Sequence, residues 1–162
     1  MSLSISDIQS SIYNAIDLIS TRTNIFYYPN APRPQLPYNS VQFLTMAKAL
    51  NDSPLWDKDN AVYKYLGFRE ITYTLNCYGQ GSFDEAIKLQ IAMQTQAFRD
   101  KLKETAPLSL LRMTEPNDLT ALNIDGFEER VTFDFVIYAA VENLTTESDV
   151  GYFDTTGEIT LI

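Results

Sequence analysis

Glu128, Glu129 and Asp134 lie close together in the sequence. Paired carboxylates can move protons or hold Mg²⁺. Glu128 and Glu129 are adjacent, however, and adjacent residues on a strand point to opposite faces. Glu129 has a structural use open to it, a charge pair across a sheet, for example with Arg69. "GQGS" (Gly79–Ser82) precedes a helical pattern, as a phosphate-binding turn would. It lacks G-x-G-x-x-G spacing and the lysine of a P-loop, so it reads as a strand-to-helix turn capped by Ser82. There is no G-x-S-x-G nucleophile motif. The chain has no histidine and one cysteine, Cys77. That removes histidine triads, most zinc sites and any Cys-x-x-Cys motif. Cys77 sits in an alternating apolar run and reads as a buried side chain. No residue is assigned as catalytic, cofactor-binding or metal-ligating, no cofactor is expected, and nothing in the sequence supports an enzyme.

Two other stretches have distinctive chemistry. "YYPNAPRPQLPYNSV" (Tyr27–Val41) holds Pro29, Pro32, Pro34 and Pro37, four of the seven prolines. Each lacks the N–H of a central strand and pushes its predecessor out of the helical region. The segment should be extended and stiff, which lowers the entropy lost on binding. Pro32 and Pro34 would hold Arg33 on a rigid stem, toward a neighbour or back onto the sheet edge. A plain crossover that protects an edge is the other reading.

The second stretch is the C-terminus. Val131 to Ile162 carries six acids and no Lys or Arg, within a net charge of −9. Phosphate gripping needs Lys and Arg, so a nucleic-acid binder is not expected, although an acidic wall could let DNA pass. Residues 142–162 also contain Val150, Tyr152, Phe153, Ile159, Leu161 and Ile162, more apolar residues than a solvated tail carries. They read as an arm that orders on a partner by strand addition with Tyr152 and Phe153 as anchors, or as last strands of the protein's own sheet.

The elements that would position these stretches follow from periodicity. Ile8, Ile12, Ala15, Ile16 and Ile19 form one helical stripe after a Ser6–Gln9 capping box. Strands are predicted over Asn24–Tyr28, Tyr38–Ala47, Arg69–Tyr78, Leu108–Met113 and Glu129–Ala140. On the second of these, Val41, Phe43 and Thr45 share a face. A second helix opens at a Ser82–Glu85 capping box, and Ala86, Ile87, Ile91, Phe98 and Leu102 mark its apolar face. Asn51–Asn60 reads as a loop with Trp56 as a local plug, and "TEPNDLTALNIDG" as another loop. A chain of 162 residues with 45% hydrophobic content can bury its own core. The expected class is α+β: an α/β sandwich with a mostly antiparallel mixed sheet and two helices packed on one face. Residues 1–141 form one core domain, and 142–162 form an acidic C-terminal extension. No apolar run is long enough to span a membrane, and the N-terminus lacks signal-peptide features.

"NAPRPQLPY" (Asn30–Tyr38), "NDLTALNIDGFEER" (Asn117–Arg130) and "DVGYFDTTGEI" (Asp149–Ile159) together resemble the tail-terminator, or neck, proteins of long-tailed bacteriophages, many of them from myophages and prophages. Phe127 stands where many members have Trp. The resemblance implies a structural virion protein made in the bacterial host cytoplasm. Six copies would form a ring that caps the tail tube and joins it to the head connector. The implied partners are other copies of the chain, the tail tube protein and head-tail connector proteins, with the sheath as a further neighbour. DNA would pass through without specific binding. The interface residues singled out are Pro32, Arg33, Pro34, Tyr38, Tyr152 and Phe153. A head-completion or tail-tube protein, or a non-viral small-molecule binding domain, are the alternative readings.

Overall fold

A computed structural model describes residues 5–26, 32–48, 53–58, 62–104, 106–123 and 126–145. Two long strands form its axis. β4 (Val62–Tyr78) and β9 (Arg130–Thr145) pair antiparallel from Tyr63↔Thr145 to Tyr78↔Arg130. β2 (Tyr38–Lys48) lies antiparallel on the free side of β4, and β1 (Thr23–Phe26) runs parallel beside the start of β2. β5 (Leu108–Met113) closes the other side, antiparallel to β9. The order is β1-β2-β4-β9-β5. One parallel pair in an otherwise antiparallel sheet gives the mixed sheet of the expected α+β class.

α1 (Ile5–Ile19), α2 (Ser82–Met93) and α3 (Gln96–Lys103) pack on one face of the sheet. The period-2 run Ile71, Tyr73, Leu75 and Cys77 lies opposite Ile137, Phe135, Phe133 and Val131 in register. Both sets point to the helices and are fully buried with Ile8, Ile12, Ala15 and Ile16 of α1. Each such large side chain contributes roughly 1.5–3 kcal/mol on burial.

Several elements differ from the sequence reading. The second helix is two. It breaks at Thr95, whose extended backbone and hydroxyl make it the N-cap of α3, accepting from the Phe98 N–H. The break lets Leu89 and Met93 of α2 and Phe98 and Leu102 of α3 all reach the core, while Ile91 stays exposed. Ser82 does not cap α2. Gly81, in a left-handed conformation at φ 74°, holds that position, and Ser82 is the first helical residue. Ser53–Asp57 is a strand, β3, paired with the first part of β4, although Asn, Asp, Ser and Pro made it read as a loop. The long β4 supplies the template, and an edge strand tolerates Pro54. Trp56 lies on this strand rather than in a loop and is 41% exposed. A bulge between Phe43 and Thr45 turns Thr45 away from the face that Val41 and Phe43 share. The loop after β5 carries β6 (Asn117–Asp118), which pairs with β9, and the small hairpin β7 (Ala121–Asn123)–β8 (Gly126–Glu128).

Candidate docking groove

The proline segment and the Glu-Glu-Arg segment meet at one end of the sheet. β2 starts at Tyr38 directly opposite Tyr78, and Tyr78 lies opposite Arg130 at the start of β9. The three side chains share the face away from the helices. Tyr38 and Tyr78 stack with ring centroids 4.8 Å apart. The Arg130 guanidinium sits over the Tyr78 ring at 5.3 Å from its centroid, within cation–π range. Arg130 Nη2 also donates to Asn76 Oδ1 at 3.0 Å. The Tyr38 hydroxyl has its pKa raised, first by burial and then by Tyr78 and Glu128, against the lowering effect of Arg33 and Arg130.

Local bonding explains why these segments converge. A Cβ on Gly79 would come within 3.0 Å of Pro37 Cα, so a larger residue there would push the proline segment away from the strand end. Glu129 does not pair with Arg69, which stands opposite Ala139 in register. Its Oε2 accepts from the Gly81 N–H at 2.7 Å and its carbonyl accepts from the Gly79 N–H at 2.8 Å. The carboxylate therefore ties the start of β9 to the turn that opens α2. Asp118 accepts from the Thr120 N–H at 2.9 Å, and hydrogen bonding from the Thr120 side chain first, and from this N–H second, lowers its pKa. That Asx-type turn starts the β7–β8 excursion. On the helix side, buried Asn39 donates from Nδ2 to Ser20 Oγ (2.9 Å), Asn24 Oδ1 (3.1 Å) and Glu85 Oε1 (3.3 Å). Arg22 Nε lies 3.9 Å from Glu85 Oε2. This network pins α1, β1, β2 and α2 together behind Tyr38.

Above the Tyr38 ring lies an open groove of about 310 Å³, lined by Arg33, Pro34, Leu36, Tyr38, Gly126, Phe127 and Glu128. Three of the residues singled out from the sequence, Arg33, Pro34 and Tyr38, line it together. Pro32 is exposed in the same segment but is not part of the lining. Tyr152 and Phe153 lie outside the described residues. Sequence reasoning missed Leu36 and the β7–β8 hairpin, whose Phe127 is 77% exposed and Leu122 72% exposed. The Asp-Gly pair at 125–126, between two short apolar runs, was the available signal for a hairpin.

The groove presents mainly apolar contact surface. Its walls are proline, aromatic and aliphatic surfaces with one cation and one carboxylate at the margin. Glu129, the second carboxylate of the pair, is turned away and accepts from the Gly81 N–H. Among the described residues no cluster of Cys, Asp or Glu is placed to hold a metal ion. No helix among them is long and apolar enough to cross a membrane.

Comparison with known families settles the relationship. The family model described as "Phage neck terminator protein" matches residues 6–161. The chain belongs to the phage neck terminator protein family. The match spans the proline segment, the Glu-Glu-Arg segment and the C-terminal stretch, as the sequence resemblance implied. A structural role at the phage neck follows for this terminator. No curated protein matches the chain.

Proposed function

We propose that this neck terminator assembles as a ring, six copies in the implied arrangement, that closes the end of the tail tube and joins it to the head connector. The observation carrying this reading is the meeting of the two family-like motifs, Pro32–Tyr38 and Asn117–Arg130, in one groove with exposed Phe127 at its rim. A stiff proline wall and an unsatisfied aromatic are what a docking site for another protein segment needs. The groove takes the tail tube protein or a connector protein, with Arg33 meeting an acidic group on the partner. The net charge of −9 suits a channel wall that DNA crosses without sticking. Residues 142–162 act as the extension. β9 carries its first positions as far as Thr145, and Tyr152 and Phe153 anchor the remainder on a partner.

The test is purified protein, alone and mixed with purified tail tubes, examined by light scattering and negative-stain microscopy. Rings on tube ends are expected. A strict monomer under both conditions overturns the reading. Deleting Val150–Ile162 should leave the melting temperature within a few degrees and abolish capping. An unfolded product, or normal capping, removes the arm from the proposal.

A further inference from the structure

The described sheet ends in two unpaired edges on opposite sides. β1 covers β2 only from Tyr38 to Val41, so among the described strands the outer edge of β2 has no partner from Gln42 to Lys48. Along that edge Phe43, Leu44 and Met46 are each more than 40% exposed. Phe43 belongs to an aromatic group that reaches Tyr73 at 5.8 Å, and Phe26 and Tyr13 continue it toward α1. On the other side β5 has no partner beyond β9 among the described strands. A cleft of about 220 Å³ lies between β5 and α3, lined by Arg99, Leu102, Lys103, Leu108, Ser109 and Leu110. Each edge strand carries one bulge, at Leu44 and at Leu111, and both leucines are exposed.

An edge with exposed apolar side chains on one side and a basic, mainly polar cleft beside an edge strand on the other can meet head to tail, which is the kind of contact that closes into rings. The strand directions agree. β2 and β9 both run antiparallel to β4, and β5 runs antiparallel to β9. β5 is therefore antiparallel to β2. A second copy that continues the sheet would keep the alternation unbroken across the boundary, in the better-bonded antiparallel form. Charge points the same way: Arg99 and Lys103 border the cleft, while exposed Asp17 lies beside β1 on the opposite side, where it accepts from Asn24 Nδ2.

We propose that the outer edge of β2 in one copy docks along β5 of the next copy, seating Phe43, Leu44 and Met46 against the cleft beside α3. This rests on the ring reading and gives it a lateral contact distinct from the proline groove, which stays free for axial partners.

Short bis-maleimide cross-linking of Leu44→Cys and Leu111→Cys tests it. Both sites are exposed, so the variants should melt with the parent. The native Cys77 thiol is buried and will not compete. With rings formed, alone or on tube ends, a mixture of the two single variants should give covalent dimers and nothing larger. The double variant should give a ladder ending at the subunit number of the ring. Rings visible by microscopy with no cross-link between positions 44 and 111 overturn this contact and leave the ring reading standing. Cross-linking of either single variant with itself shows a two-fold contact and also overturns it. A monomer both alone and with tubes removes the ring reading and this inference together.

Discussion

On the helix-covered face, Ile71, Tyr73, Leu75, Phe133, Phe135 and Ile137 are sealed from water. On the opposite face the same two strands present Glu70, Thr72, Thr74, Thr132, Asp134 and Tyr138, mostly half-buried and polar. Thr74 donates to Asp134 at 2.6 Å, Arg112 pairs with Glu70 at 3.1 Å, and Phe68 stacks on Tyr138 at 5.1 Å. The first face holds the fold, and the second, with the groove at its end, is the one the proposed assembly would use. Substitutions on the first face should act on stability. Substitutions on the second and at the groove should act on assembly.

The largest contrast should appear in thiol chemistry. Burial, with Glu85 adding to it, pushes the Cys77 thiol up to about 12 from its ordinary 9.0. At pH 8 the native thiol is neutral and shielded, so maleimide labelling should be slower than in the unfolded chain by more than about a thousandfold. The folded thiol holds its proton to higher pH than the unfolded one. This contribution to stability is therefore full below pH 9 and is lost as pH rises from there through about 12. Rapid labelling of the native protein at pH 8 would show that the helix-covered face is open. Next in size is Phe135→Ala. Phe135 is fully buried and stacks on Tyr73 at 5.6 Å, so the loss should be about 3–5 kcal/mol in urea unfolding.

An intermediate effect belongs to Arg130, where the two regions meet. Asn76 is 2% exposed and its Oδ1 accepts both Arg130 Nε and Nη2. Arg130→Ala leaves that acceptor without its donors and removes the cation over Tyr78, a loss of about 1–3 kcal/mol. Arg130→Lys keeps the charge and one donor and should lose less than half as much. Equal losses in the two variants would mean that the bonds to Asn76 contribute little.

The regions also differ in how far the sequence disclosed them. The core strands were legible because period-2 alternation is a direct consequence of burying one face. Ile71 to Cys77 and Val131 to Ala139 fell where that pattern put them. The helix break at Thr95 was not legible, because the apolar period runs on through it and only a capping hydroxyl marks the change. β3 was hidden by loop-like composition, since its template is a distant strand that local sequence does not reveal. Glu129 reads from the sequence as a cross-sheet partner but accepts from the Gly81 N–H, because the turn packs beside the start of β9 only in three dimensions. The groove was half legible. Proline chemistry marked Arg33, Pro34 and Tyr38, but their opposite wall comes from residues about ninety positions further on, brought near by strand pairing that no local pattern announces.

The smallest effect on stability is expected at Phe127, and there the contrast is sharpest. Its ring is 77% exposed at the groove rim, so Phe127→Ala removes almost no burial. Unfolding free energy should stay within about 0.5 kcal/mol of the parent. If the groove docks a partner, the same truncation deletes an aromatic anchor. Tube capping should weaken at least tenfold, the equivalent of about 1.4 kcal/mol. Ile91→Ala is the matched control. Ile91 is an exposed apolar residue of comparable accessibility, but it lies on α2, away from the groove. Replacing it should change neither melting nor capping. Titration of tube ends with each variant, scored by microscopy, gives the comparison directly. Weakening by both variants would point to a general need for surface apolarity, and weakening by neither would remove the groove from the docking surface.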